Sequence, residues 1–95
     1  MAALWIAHIN VVDAEKYGGY VERATGIIAS HGGEFIARGG RYEQCEGAEH
    51  ARNVVVRFPT FEDAVACYHS DAYQSIVGDA IAGSERSVVI VEAED

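Results

Sequence analysis

The sequence predicts an α+β domain whose elements run β-α-β-β-α-β. Three observations predict it. Four stretches rich in branched and aromatic residues, at 3–12, 34–45, 52–58 and 87–93, read as strands. Between the first and second, and again between the third and fourth, apolar residues recur at helical spacing. The second and third strands are joined only by the turn Glu46-Gly47-Ala48-Glu49. With 95 residues, 49% of them hydrophobic, the chain is expected to form one domain over 1–95 with a core of useful size.

Strand one is ALWIAHINVV. Asp13 follows as a helix cap, and Glu15 adds negative charge to the first turn. Tyr17, Tyr20, Val21, Ala24, Ile27 and Ile28 make the apolar stripe of helix one. Gly18, Gly19 and Gly26 weaken that helix, and close packing against a sheet is the expected reason for them. His31-Gly32-Gly33 ends it. Strand two is expected over 34–45, with a bulge or sharp bend at Gly39-Gly40. Strand three is RNVVVRF, stopped by Pro59, and Thr60 caps helix two. The buried face of helix two is expected to be Phe61, Ala64, Val65 and Tyr68. Ser70-Asp71 either continues this helix or caps a new one running to about residue 81; Gly83-Ser84 then breaks it. Strand four covers 87–93, and the last residues, through Asp95, read as a solvated terminus.

A helical crossover makes strands one and two parallel. The short turn makes strand three antiparallel to strand two. The result is a ferredoxin-like βαββαβ unit, a four-stranded antiparallel sheet with its helices on one face. On strand one, Trp5, Ala7, Ile9 and Val11 are uniformly apolar and belong under the helices; Leu4, Ile6, His8 and Asn10 then line the other face. A partly apolar sheet face without cover calls for a partner, most simply a second copy, so a homodimer is expected.

Seven Lys+Arg against fifteen Asp+Glu leave a net charge of −8. That surface repels phosphate backbones and anionic lipid, which argues against nucleic-acid and membrane partners. Two cysteines without a paired motif suit a reducing compartment. The N-terminal stretch lacks a basic leader, and no apolar run approaches membrane-spanning length, so a cytoplasmic protein is expected.

WIAHINV, GGEFIARGGRYEQCEG, the arginine-and-valine strand and FPTFEDAVACYHSDAYQ together resemble DUF1330 proteins from end to end. These are small members of the dimeric α+β barrel superfamily. The resemblance implies facing sheets that form a barrel, and a cleft between sheet and helices. It implies no catalytic residues, because that family has no established reaction. His8, Arg38, Gly39, Gly40, Glu46, Gly47, Tyr68, Ser70 and Tyr73 match its pattern. Many relatives carry proline where Asp71 stands, which favours a new helix there. Related barrels include cofactor-free monooxygenases, haem-degrading enzymes and lactone isomerases, so fold alone does not name a reaction.

The stretch ACYHSDAY sets Cys67 near His69, but two residues along a helix turn the side chains roughly 160° apart. A thiol–imidazole dyad is therefore rejected, and Ser70 reads as a cap. His69 sits where the helix dipole favours a cation, beside Tyr73 one turn on. His8 lies mid-strand on the face opposite the helices, either as an interface residue or as a proton acceptor. Arg38, Arg41, Arg52 and Arg57 concentrate in strands two and three. They suit a small carboxylate or enolate, or ion pairs with Glu34, Glu43 and Glu46. The histidines have no metal-ligand spacing, and neither a metal nor a cofactor is expected.

The leading reading is a small-molecule-binding protein, with cofactor-independent catalysis on a small acidic or carbonyl compound as one form that it can take. In it His8 is the base, Arg38 the anion anchor, and Tyr42, His69 and Tyr73 the walls. One rival is a non-catalytic structural or regulatory dimer whose interior is filled. Another is a haem-degrading type of monooxygenase.

Overall fold

A computed structural model describes residues 1–94; Asp95, assigned above to the solvated tail, lies outside the described residues. The strands are β1 (Ala3–Val11), β2 (Glu34–Arg38), β3 (Arg52–Phe58) and β4 (Ser84–Glu92). The helices are α1 (Ala14–Ser30), α2 (Phe61–His69), α3 (Asp71–Gln74) and α4 (Val77–Gly83). The sheet order is β2-β3-β1-β4 and every neighbouring pair is antiparallel. This is the α+β, ferredoxin-like arrangement expected from the element order.

Local chemistry sets most boundaries. Asp13 accepts from the Lys16 backbone N–H at 3.2 Å and starts α1. Thr60 does the same for α2 through Asp63 N–H. Ser70 Oγ accepts from Tyr73 N–H, so the chain breaks there and a separate helix begins. At the far end, Gly83 C=O receives the N–H groups of Val12 and Asp13. A Cβ on Gly83 would come within 3.0 Å of the Tyr17 nitrogen, so only glycine lets β4 leave this close to the start of α1.

Alternation along β1 sends Ala3, Trp5, Ala7 and Ile9 under the helices, all of them buried. Trp5 is the centre of an aromatic cluster, with Tyr73 edge-on at 5.2 Å, Tyr68 at 5.7 Å and Phe58 at 5.9 Å. Leu4, Ile6, His8 and Asn10 face the uncovered side, as expected. Val11 does not join the buried set: it is 42% exposed at the last position of β1.

Five further expectations need correction. β2 ends at Arg38 instead of 45: Gly39, at φ 66°, turns the chain away, and the polar residues after it have little apolar area to bury in a sheet. The bulge falls between Phe35 and Ala37, and not at Gly39-Gly40. β4 begins at Ser84, three residues before the position expected. On α2 the buried line is Ala64 and Cys67, with Phe61, Val65 and Tyr68 only half-buried. Nor does close packing explain the α1 glycines, since Gly18 and Gly26 have nothing within 4 Å of a built Cβ. No helix among the described residues is long and apolar enough to cross a membrane.

Candidate functional site

Between α1 and the helix-facing side of the sheet lies a narrow cleft with about 30 Å³ of water-sized space, opening to solvent at its mouth. Its floor is apolar, from Trp5, Ala7, Ile9, Val54 and Val56; Tyr17, Tyr20, Ala24 and Thr25 of α1 form the roof. Three arginines complete the lining: Arg38, Arg52 and Arg86.

The sheet register explains why they meet. Arg52 on β3 and Arg86 on β4 are both direct partners of Ile9, so they flank it on adjacent strands. Arg38 pairs with Val54, two residues beyond Arg52 on the same face. Three cations on neighbouring strands therefore project toward one end of the cleft.

None of the three is in an ion pair with a described carboxylate; the Arg23–Asp79 bridge lies elsewhere. Arg86 instead donates to Tyr20 OH at 3.2 Å and to Tyr73 OH at 3.1 Å, and stacks 5.0 Å over the Tyr20 ring. The two hydroxyls touch at 2.5 Å in the core. Arg38 donates to Thr25 Oγ and lies 4.1 Å from the Phe35 ring centroid. Arg52 has a buried Nε with no partner. Gly39 makes room for it, since a Cβ there would stand 2.8 Å from Arg52 Nη1. A buried guanidinium donor left unpaired is costly unless something else accepts from it.

Burial shapes the titration of the tyrosines. It pushes the Tyr73 hydroxyl far above its ordinary value; Tyr20 adds to this and Arg86 opposes it. Tyr17 is raised as well, again mainly by burial. For Arg86, burial works against the charge, but Tyr20 and Tyr73 outweigh it and hold the guanidinium protonated. Proton counting adds a consequence. Each hydroxyl accepts from Arg86, one donates to the other, and one O–H proton remains uncommitted. Because Tyr20 lines the cleft, Tyr73 donating to Tyr20 would leave that proton on the cleft side.

The sequence-selected residues are scattered relative to this cleft. Arg38 lines it, and Tyr73 stands fully buried behind Tyr20. His8 projects from the opposite face of the sheet and is exposed. Tyr42 lies in the 39–51 loop and donates to Glu49 at 2.6 Å, a bond that raises its hydroxyl pKa. His69 is exposed at the end of α2, edge-on to Tyr68. The structure thus brings Arg38 and Tyr73 to one side of the sheet and leaves His8, Tyr42 and His69 outside the cleft lining. Of the other arginines, Arg41 lies in the exposed loop and Arg57 faces the open side as the register partner of Glu34. Arg86 was not singled out from sequence, although its period-two phase with Val88 and Ile90 was the available signal.

The family model described as "Domain of unknown function (DUF1330)" matches residues 2–94. No curated protein matches the sequence. Among solved structures, a protein of unknown function from Rhodopseudomonas palustris is similar at TM-score 0.81 and 12% identity, covering 99% of this chain and 83% of that one. SnoaB, a cofactor-independent oxygenase from Streptomyces nogalater, is similar at TM-score 0.71 and 9% identity, covering 99% and 94%. A Caulobacter crescentus protein provisionally named an antibiotic biosynthesis monooxygenase follows at TM-score 0.64 and 6% identity, covering 99% and 92%. At these identities the likeness is one of fold.

Proposed function

The chain belongs to the DUF1330 family, and from that premise we propose that it binds a small organic anion in the cleft under α1. The anion is a carboxylate, or the enolate of a carbonyl compound. The observation that carries this reading is the arginine trio: three cations without carboxylate partners share one cleft in a chain of net charge −8. Were they merely structural, the abundant acidic residues would be expected to pair with them. Arg52, with its orphaned Nε, and Arg38 grip the anionic group. Arg86 and the Tyr20 hydroxyl address a second oxygen, and the carbon skeleton lies along the apolar floor toward the open mouth.

Such a clamp stabilises an enolate better than its neutral parent, which is what cofactor-independent chemistry on a carbonyl compound requires. SnoaB's description as a cofactor-independent oxygenase fits this direction. The haem-degrading alternative gains no support, because none of the four histidines is among the residues lining the cleft. The proposal includes a homodimer paired through the open sheet face, where Leu4, Ile6, Val55, Val89 and Val91 lie together without cover.

Calorimetric titration with a panel of aromatic and aliphatic carboxylates tests the cleft. Replacing Arg52 or Arg86 by alanine should weaken binding at least tenfold, since a charge-assisted hydrogen bond contributes about 1.5–3 kcal/mol. Equal affinity in both folded variants would remove the assignment.

A further inference from the structure

The opposite face of the sheet holds a second arrangement that the anion cleft does not use. His8, in mid-β1, and His50, in the loop just before β3, stand with ring centroids 5.8 Å apart at 44°. From these two side chains we infer that His8 and His50 form a bidentate site for a divalent transition-metal ion that favours imidazole, of the zinc, nickel or copper class.

Each ring has one nitrogen hydrogen-bonded and the other without a partner among the described residues. His8 Nδ1 is 2.7 Å from Asn53 Oδ1, and Asn53 Nδ2 donates to the His50 carbonyl. That second bond fixes the amide's orientation, so Oδ1 accepts and His8 Nδ1 carries the proton. His50 Nδ1 lies 3.1 Å from the Ala48 carbonyl, which accepts only; here too the proton is on Nδ1. In their neutral forms both rings therefore keep a bare Nε2 lone pair. An oxygen acceptor on one ring nitrogen is how proteins orient a metal-binding histidine and raise its basicity.

The spacing agrees. With a metal–nitrogen bond of about 2.0–2.1 Å, two imidazoles on one ion have centroids roughly 5–6 Å apart across ordinary bond angles. The loop is also held in advance. Asn10 donates to Glu49 C=O at 2.9 Å and accepts from Ala51 N–H at 3.0 Å, gripping the backbone on both sides of His50. Asn10, Asn53 and the two histidines thus form one connected polar group at one end of this face, beyond the apolar Leu4, Ile6, Val55, Val89 and Val91. No cluster of three His, Cys, Asp or Glu residues that could hold a metal comes together among the described residues, so one chain supplies two ligands, and the remaining positions are left to water or to the second copy that the proposed dimer sets against this face. Such an ion is exchangeable. The net charge of −8 raises the local cation concentration.

Zinc chloride titration of the intact protein, followed by calorimetry, tests the inference. The exposed Cys45 is the competing ligand, so the titration is run in a Cys45→Ser background as well. Saturable binding, retained in that background and weakened at least tenfold by His8→Ala and by His50→Ala, is expected; His31→Ala should change nothing. Long-range proton–nitrogen correlation on the unmodified protein gives a second readout, in which both rings carry the proton on Nδ1 and both Nε2 signals move on adding zinc. Zinc binding that survives both histidine variants, or that disappears with Cys45 alone, overturns the site. So does either ring found protonated on Nε2 in its neutral form. Because the cleft lies on the other side of the sheet, carboxylate binding is measured independently of this result.

Discussion

Cys67 is fully buried on α2, and burial pushes its thiol up to about 11, whereas Cys45 is exposed. Thiolates react and thiols do not, so the two should label very differently. At neutral pH a disulfide reagent should modify one thiol at once and the second only as fast as the chain unfolds; simultaneous labelling would contradict the burial. The same shift has a sign for stability. A native thiol that keeps its proton after the unfolded chain has lost it favours folding less as pH rises. The contribution is therefore whole below the ordinary value near 9.0 and declines toward 11, with the raised Tyr73 extending the decline above 10.0. Denaturant midpoints should fall between pH 8 and 10.5. The neighbourhood of Cys67 also marks what spacing could say. Helical geometry alone separated it from His69, but its complete burial depended on where α2 settles against the sheet.

α1 contains glycines that its tertiary environment does not use. Gly18 and Gly26 are exposed with open space around a built Cβ, so alanine fits and lowers the conformational freedom of the unfolded chain. Each of Gly18→Ala and Gly26→Ala should stabilise the protein by about 0.5–1 kcal/mol. Thermal unfolding would register a rise of several degrees for a domain of this size; unchanged or lower midpoints would show a role for them that the fold does not reveal. β2 teaches the complementary lesson. FIARGGRY alternates well enough to read as strand, but a positive φ at Gly39 and nothing apolar to cover beyond it stop the ladder at Arg38. In β4 the error ran the other way. Glu85 and Arg86 look like loop residues, yet nine residues of β1 are available to pair, and the ladder extends to Ser84.

The molecule as a whole leaves one sheet face without cover. Val89 is 54% exposed and Val91 45%, beside Leu4, Ile6 and Val55 on adjoining strands. The proposed pairing of two copies through this face makes stability depend on concentration. Sedimentation should report a dimer at micromolar protein, and Val89→Asp should shift it to monomer by placing an unpaired charge in the interface. A monomer in the unmodified protein would end that part of the proposal.

From the sequence alone came the order of elements, the face of β1 that packs under the helices, the cap at Ser70 as one of two alternatives, and the rejection of a Cys67–His69 dyad. These are local matters, decided by period, cap chemistry and turn length within a few residues. The grouping of Arg38, Arg52 and Arg86 was not available that way. It depends on cross-strand register, which sets residues 38, 52 and 86 side by side although 14 and 34 positions separate them along the chain. The separation of His8 from Arg38 has the same origin, because alternation sends neighbouring registers to opposite faces of a sheet. Only pairing across strands decides which distant side chains share a face, and that face is where binding chemistry is assembled.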